Sequence, residues 1–362
     1  MNEAYLEIKN LSKIFDSEDQ REQIVAVDGF NLRIEKGEFI TLLGPSGCGK
    51  TTTLRMIGGF ESPTSGDVVL DGERLNDIPA NKRDTCMVFQ SYALFPHMNI
   101  FKNIAYGLEL KKMKPNLVRE KVENILELVG LPNKGSRAVA QLSGGEQQRV
   151  ALARAIVNEP KVILFDEPLS NLDAKLRFKM RTFIRKIQRE LSITSIYVTH
   201  DQEEAMAMSD RIVVMNQGRI EQIGTPEEIY KLPKNAFVAD FIGKTTNFIS
   251  AKVVANDGAS VTVRVDGSDF EVPGVYDFEA NTVVSVIIRP EMIRLSPNAG
   301  TFEGRINVAS YLGSANIYEI AWGDQLLMAQ APTLRSSKFF REGERVYMSF
   351  LWDESHIIKA EA

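Results

Sequence analysis

The sequence predicts an α/β domain built on a largely parallel sheet, with an inserted helical subdomain, followed by a small all-β domain. Three observations predict it. From residue 1 to about 235, apolar strand-like runs alternate with helical patterns, the order that lays helices against a parallel sheet. Over about 90–155 the strand signal gives way to helical spacing. Across residues 236–362, beyond Pro233 and Asn235, short alternating runs are separated by turn residues.

Taken in order, Glu38 to Leu43 is a short apolar strand that runs into a glycine-rich turn, and Thr51 to Ile57 reads as the helix after it. Val118, Val122, Ile125, Leu126 and Val129 share one face of a helix in the inserted region. Val162 to Phe165 and Ser195 to Thr199 are apolar enough to be buried central strands, and Arg211 to Gly224 reads as a hairpin turning at Asn216, Gln217 and Gly218. In the second domain the strands are Ala251 to Ala255, Ser260 to Val265, Val283 to Ile288, Arg305 to Ser310, Asn316 to Ala321 and Arg345 to Leu351. Asn256-Asp257-Gly258, Asp266-Gly267-Ser268, Gly313 and Gly323 punctuate them. This domain carries no catalytic set that the sequence reveals, and no internal repeat or low-complexity tract appears.

Composition narrows the function classes. With 362 residues, 44% hydrophobic and 25% charged, the chain is ordinary globular material. Its longest apolar runs fall far short of the roughly 20 residues that cross a bilayer, so it is not expected to span a membrane. The start, with neither a basic leader nor an apolar stretch, is read as lacking an export signal, which points to the cytoplasm. Cys48 and Cys86 form no disulfide framework and no metal-type spacing. A net charge of −5 argues against a nucleic-acid partner. The local exception is Lys175, Arg177, Lys179, Arg181, Arg185, Lys186 and Arg189, set against Leu176, Met180, Phe183, Ile184, Ile187 and Leu191 at helical spacing. We read it as a solvated helix face.

Gly44-Pro45-Ser46-Gly47-Cys48-Gly49-Lys50-Thr51 fills every fixed position of the phosphate-loop pattern. Its glycines let backbone N–H groups turn towards a β-phosphate, and the helix that begins there adds its positive dipole end. Lys50 is expected to neutralise β- and γ-phosphate oxygens and the Thr51 hydroxyl to ligate Mg²⁺, with Thr52 counted in the phosphate-binding set. Cys48 has no chemical role here but predicts sensitivity to thiol reagents. Val162 to Glu167 supplies the complement: an apolar strand ends in two carboxylates, Asp166 to hold Mg²⁺ and Glu167 to act as general base on water. Further on, Ser143, Gly144 and Gly145 open a predicted helix, Gln147 to Ile156, and so present donors to an anion.

These motifs resemble the ABC transporter ATPases. Leu142-Ser143-Gly144-Gly145-Glu146-Gln147 is similar to that family's signature sequence, in which the resemblance implies that Ser143, Gly144, Gly145 and Glu146 face the γ-phosphate held by a partner cassette. The common form has Gln where this chain has Glu146, so its carboxylate is expected to turn aside towards Arg149 or Arg154. By the same resemblance Gln90 senses Mg²⁺ from the Q-loop, Ser170-Asn171-Leu172-Asp173 is the D-loop that meets the opposite subunit, and His200 contacts the γ-phosphate. Phe15 resembles the aromatic that stacks on adenine, although a polar run from Asp16 to Gln23 is longer than usual and Tyr5 is the nearest other aromatic.

Phe89 to Met98 and Gly224 to Tyr230 are worded as in importer ATPases that end in an OB-like, so-called TOBE, domain, and Arg289-Pro290-Glu291 fits that tail. Phe237 to Gly243, with Asn247-Phe248, is most similar to spermidine/putrescine importers. The resemblance therefore implies an ATP- and Mg²⁺-dependent homodimer on the cytoplasmic face of the cell membrane, working with two permease subunits and an extracytoplasmic solute-binding protein. Polyamine is the expected cargo, with ferric iron, phosphonate or sugar as alternatives. A stand-alone ATPase with a ligand-sensing tail is a further reading. An ABC protein acting on DNA or ribosomes is a distant one, since the chain has neither a long coiled coil nor a second cassette.

Overall fold

A computed structural model of the chain describes residues 4–16, 23–243, 245–334 and 338–360. The chain divides into Met1–Pro226 and Glu227–Ala362, so residues 227–235, expected in the first domain, group with the second. In the first unit the elements are β1 (Leu6–Asp16), β2 (Gln23–Ile34), β3 (Phe39–Leu43), α1 (Lys50–Gly58), β4 (Ser65–Leu70), β5 (Glu73–Arg74), β6 (Thr85–Val88), α2 (Ile100–Leu110), α3 (Pro115–Leu128), α4 (Gly144–Ile156), β7 (Val162–Asp166), α5 (Ala174–Leu191), β8 (Thr194–Thr199), α6 (Gln202–Met208), β9 (Arg211–Asn216) and β10 (Arg219–Gly224).

The central sheet has the order β10-β9-β3-β8-β7-β6 and is parallel apart from the β9–β10 hairpin. Its inner strands are covered on both faces, which is why they read as unbroken apolar runs. Alternate side chains go to different cores. Ile40, Leu42, Leu164, Ile196 and Val198 join Leu54 and Ile57 of α1, while Phe39, Ile163, Phe165 and Tyr197 join residues of α4 and α5. The parallel alternation does not hold for the whole unit. A second sheet, β2-β1-β4-β5, is antiparallel and closes over α1, with Leu6, Ile8, Phe30, Leu32 and Ile34 in the same core as that helix.

Register decides where the motifs emerge. Leu43 pairs with Thr199, Asp166 with Val198, and Val88 with Phe165. The residues that follow each strand, Gly44, His200, Glu167 and Phe89-Gln90, therefore leave the sheet at one edge, its carboxyl end, where α/β sheets hold their ligands.

Helices α2, α3 and α4 share a core of their own, including Ile100, Ile104, Val118, Val122, Leu126, Val150 and Ala153. Asn99 caps α2 by accepting from the Lys102 N–H, and Pro115 opens α3 where a missing N–H costs nothing. The basic face of α5 departs from the expected solvated stripe. Arg177 pairs with Asp201, Arg181 with Glu203 and Arg185 with Asp210, so three of the cations fold over onto α6 and its flanks.

The second unit begins with α7 (Pro226–Lys231) and α8 (Ala236–Gly243) and continues as β11 (Asn247–Asn256), β12 (Ser260–Val265), β13 (Ser268–Pro273), β14 (Val283–Ile288), β15 (Ile293–Ser296), β16 (Phe302–Tyr311), β17 (Ala315–Trp322), β18 (Gln325–Pro332), β19 (Arg345–Phe350) and β20 (His356–Lys359). These form two five-stranded antiparallel sheets, β13-β12-β11-β14-β20 and β15-β19-β16-β17-β18, around one apolar core. Arg289 holds the helices to it. The buried guanidinium donates to the Ala239 carbonyl (2.7 Å), the Thr246 hydroxyl (2.6 Å) and the Tyr230 carbonyl (3.0 Å), and lies over the Tyr230 ring. A Cβ at Gly243 would stand 1.9 Å from that guanidinium, so a side chain there would have to displace it.

Candidate functional site

The phosphate loop folds as its glycines require. Gly49, which begins α1, sits at φ 96°, and a Cβ on it would meet the Ala26 carbonyl oxygen at 2.3 Å. A Cβ on Gly44 would meet the Met215 carbonyl oxygen at the same distance. No side chain caps α1, so the N–H groups of its first turn face outward with a positive dipole end. Buried Lys50 lies back along the loop and donates to the carbonyls of Gly44 and Pro45, both at 2.8 Å. Pro45, Ser46 and Gly47 form the more open rim, with Thr51 and Thr52 half-buried on the helix. Cys48 is turned inward, buried at 3% exposure, and burial pushes its thiol pKa up. The expected ready attack by thiol reagents is therefore corrected, because a buried thiol is a poor nucleophile.

Across the sheet edge, Asp166 ends β7 and Glu167 follows it. Thr51 donates its hydroxyl to Asp166 at 3.1 Å, a link between residues 115 positions apart. Burial raises the Asp166 pKa, and the Thr51 hydrogen bond opposes that rise. Glu167 has φ 44°, although it is neither glycine nor free of a following proline, Pro168, which disfavours compact backbone before it. Such a conformation costs of order 1–3 kcal/mol and collects at functional sites. The surroundings hold it there: the Glu167 N–H donates to the Val198 carbonyl (3.1 Å), and its carboxylate lies 3.0 Å from His200 Nδ1.

Gln90 follows β6 at the same edge, exposed, and its carbonyl accepts from the Asn171 side chain at 3.0 Å. Asp173 caps α5 by accepting from the Leu176 N–H. The Ser143 segment starts a helix at Gly144, earlier than the expected Gln147. There the Ser143 hydroxyl caps α4, and Glu146 completes a reciprocal box by accepting from the Ser143 N–H and hydroxyl, both at 3.0 Å. Glu146 does turn aside, but to Lys134 (2.6 Å) rather than to Arg149 or Arg154. Arg154 instead donates to the carbonyls of Tyr92 and Ala93, and Arg149 lies over the Phe183 ring. Lys134, followed by the two Ser143 hydrogen bonds, holds the Glu146 carboxyl down at about 2.

Phe15 lies near the end of β1, exposed, with Lys13 over its ring at 4.7 Å. It pairs with Ile24, close along β2 to the Ala26 carbonyl that touches Gly49. Tyr5 precedes the start of β1, whereas Phe15 lies near its end, beside the phosphate loop. Most of the polar run from Asp16 to Gln23 lies outside the described residues.

Sequence reasoning missed three residues around this site: Arg177, Asp201 and the buried Glu204, which accepts from the Tyr197 and Thr199 hydroxyls at 2.8 Å. Asp201-Gln202-Glu203-Glu204 carries a legible helix-start pattern, but its partners do not follow from it.

Comparison with known proteins places the chain. Residues 27–170 match the ABC transporter family, and residues 286–358 match the TOBE domain family. The chain is 52% identical over 296 residues to a Fe(3+) ions import ATP-binding protein of Rhizobium meliloti, covering 82% of this chain and 83% of that one. It is 45% identical over 360 residues to the spermidine/putrescine import ATP-binding protein of Clostridium novyi, covering 99% of each. Among solved structures it is similar to a dimeric ATP-binding cassette in a post-hydrolysis state bound to ADP and Pi. That match has a TM-score of 0.54 and 33% identity, and covers 61% of this chain and 98% of the cassette.

Proposed function

The chain belongs to the ABC transporter family as an import ATPase with a TOBE domain, and from that premise we propose that it drives polyamine uptake through hydrolysis organised by Lys50, Thr51, Asp166, Glu167 and His200. The observation that carries the assignment of these residues is their meeting at one sheet edge, with the Thr51–Asp166 and Glu167–His200 contacts already formed.

The fit to a nucleotide is seen in the loop itself. Gly44 and Gly49 have no room for a Cβ, and the uncapped N–H groups of α1 have no acceptor in a side chain. Phosphate oxygens would take the place of the Gly44 and Pro45 carbonyls as acceptors for Lys50. Among the described residues no three His, Cys, Asp or Glu side chains converge. Thr51 and Asp166, already in contact, would hold Mg²⁺ with Gln90 and phosphate oxygens, as suits an ion that keeps few protein ligands. When bound it neutralises charge on the β- and γ-oxygens. Glu167 takes the proton of the attacking water, and His200, fixed against that carboxylate, faces the γ-phosphate. Phe15 stacks on adenine.

The functional unit we propose is a homodimer, in which Ser143, Gly144, Gly145, Glu146 and Asp173 of one copy complete the site of the other. Two solved cassettes similar to this chain are dimeric. Two permeases would dock beside Gln90, where the exposed Phe60 meets Phe89 edge to face. An extracytoplasmic solute-binding protein would deliver the cargo. No described helix is long and apolar enough to cross a membrane, and the subunit we propose is peripheral, on the cytoplasmic face. The near-full-length match to a spermidine/putrescine ATPase favours polyamine, whereas the higher identity of the Rhizobium meliloti relative favours ferric iron as the second reading.

Two measurements test this. Glu167→Gln is expected to keep ATP binding while lowering turnover by about 10³-fold, within the range of general-base losses; wild-type turnover would remove Glu167 from the role. In the reconstituted transporter, spermidine-dependent ATPase that ferric complexes do not stimulate is expected, and the reverse would assign iron.

A further inference from the structure

We propose that Arg177 is a positioning residue for hydrolysis: it ties the segment 170–173 to the backbone that carries His200, so that His200 stands against Glu167 only while that segment is in place. The inference rests on the reading of Glu167 and His200 given above.

His200 needs such support. Its side chain is 58% exposed, and its hydrogen-bonding contact is with Glu167. Its placement must come from the residues on either side. On one side, Thr199 donates to buried Glu204 at 2.8 Å and accepts the Asp201 N–H at 3.0 Å. On the other, Asp201 accepts the N–H groups of Glu203 (2.8 Å) and Glu204 (3.3 Å) with one oxygen, and receives Arg177 Nη1 at 3.3 Å on the second.

The same guanidinium reaches the other segment. Arg177 Nη2 donates to the Leu172 carbonyl at 3.0 Å, and Nε lies 3.9 Å from Glu204. Leu172 stands between Asn171, which donates to the Gln90 carbonyl, and Asp173, which caps α5. Leu172 and Leu176 also pack under Gly144 and Gly145, the start of α4. Arg177 thus joins the strand end bearing His200 to a segment that touches both the Gln90 loop and the α4 start. A small cavity of about 60 Å³ is lined by Arg177 and Glu204 together with Glu167 and His200. A rigid planar fork can serve acceptors on both segments at once, which a lysine ammonium on a flexible stem does poorly.

The test is a double-mutant cycle on the full chain, read by steady-state ATP hydrolysis. Arg177→Met is expected to lower kcat by about 30-fold and leave the KM for ATP within about threefold, the pattern of an interaction needed in the transition state rather than for binding. Arg177→Lys should recover only part of the loss. In a His200→Ala background, Arg177→Met should change the residual rate by no more than about twofold, because groups acting as one unit are not additive. A full 30-fold further loss in that background would overturn the proposal, while normal turnover by His200→Ala alone would overturn the site reading beneath it. If Arg177→Met does not fold, Asp201→Asn keeps a competent cap on α6 and removes the charge that Arg177 holds. The same cycle then applies, with non-additivity expected and additivity fatal.

Discussion

Two helices of the first unit start in glycine-rich segments that look alike in sequence, and the structure finishes them in opposite ways. At α1 the cap is Gly49 in left-handed backbone with no side-chain acceptor, and Lys50 leans on carbonyls that a ligand can replace. At α4 the cap is Ser143 in extended backbone, its donors answered by a reciprocal box with Glu146, which Lys134 pins in turn. The glycines also differ in kind. Gly49 faces a backbone carbonyl that cannot move away, whereas Gly144 and Gly145 face the flexible side chains of Leu172 and Leu176. One segment is open to an anion by itself. The other is satisfied within its own chain, and its hydroxyl must give up a partner before it can serve a phosphate.

The largest effect should come from placing the same methyl in both segments. Gly49→Ala combines a 2.3 Å approach to the Ala26 oxygen with a positive φ, and should cost more than about 2 kcal/mol and abolish ATP binding. Gly144→Ala, at 3.2 Å from a Leu172 methyl, should cost less than about 1 kcal/mol, since alanine favours a helix. Urea midpoints with calorimetric ATP titration measure both, and equal costs would break the contrast. A smaller effect is expected from Ser143→Ala, which should remove about 1 kcal/mol of stability as a lost cap does while leaving ATP binding by the separate chain intact. If ATP binding fell in step with stability, the two helix starts would not be independent.

Smallest is Glu146→Gln, which keeps a box-competent side chain but gives up the partly exposed pair with Lys134, a change under about 1 kcal/mol at neutral pH. The sign with pH is definite. The folded pKa is lowered from 4.5 to about 2, so the contribution is complete above about 4.5 and disappears as pH falls towards 2. Denaturant midpoints for the two forms should therefore converge through that window, and a constant gap would show that Lys134 does not hold this carboxylate.

Legibility followed the same divide. The phosphate loop, the Asp166-Glu167 strand end and the Ser143 helix start were readable because each is contiguous and its chemistry local. The antiparallel sheet was not, since nothing in Leu6 to Asp16 or Gln23 to Ile34 names the strand it pairs with. The basic face of α5 misled for a related reason. Helical spacing places Arg177, Arg181 and Arg185 on one side of the helix, but Asp201, Glu203 and Asp210 wait on a segment that spacing does not describe. Glu146 found Lys134 rather than the arginines of its own helix because Lys134 lies beside the start of α4 only after the loop before it folds.

By itself, then, the amino-acid sequence determined which groups could do phosphate chemistry, through glycine's backbone freedom, the dipole at a helix start and carboxylates at the end of an apolar strand. The tertiary structure decided which of them meet. Strand order and register set Thr51 against Asp166 and His200 against Glu167, and the packing of α5 on α6 put one guanidinium between Leu172 and Asp201. The physical reason is range: backbone conformation is settled within a few residues, while a hydrogen bond across 115 positions exists only after the apolar faces of the sheet have chosen their neighbours.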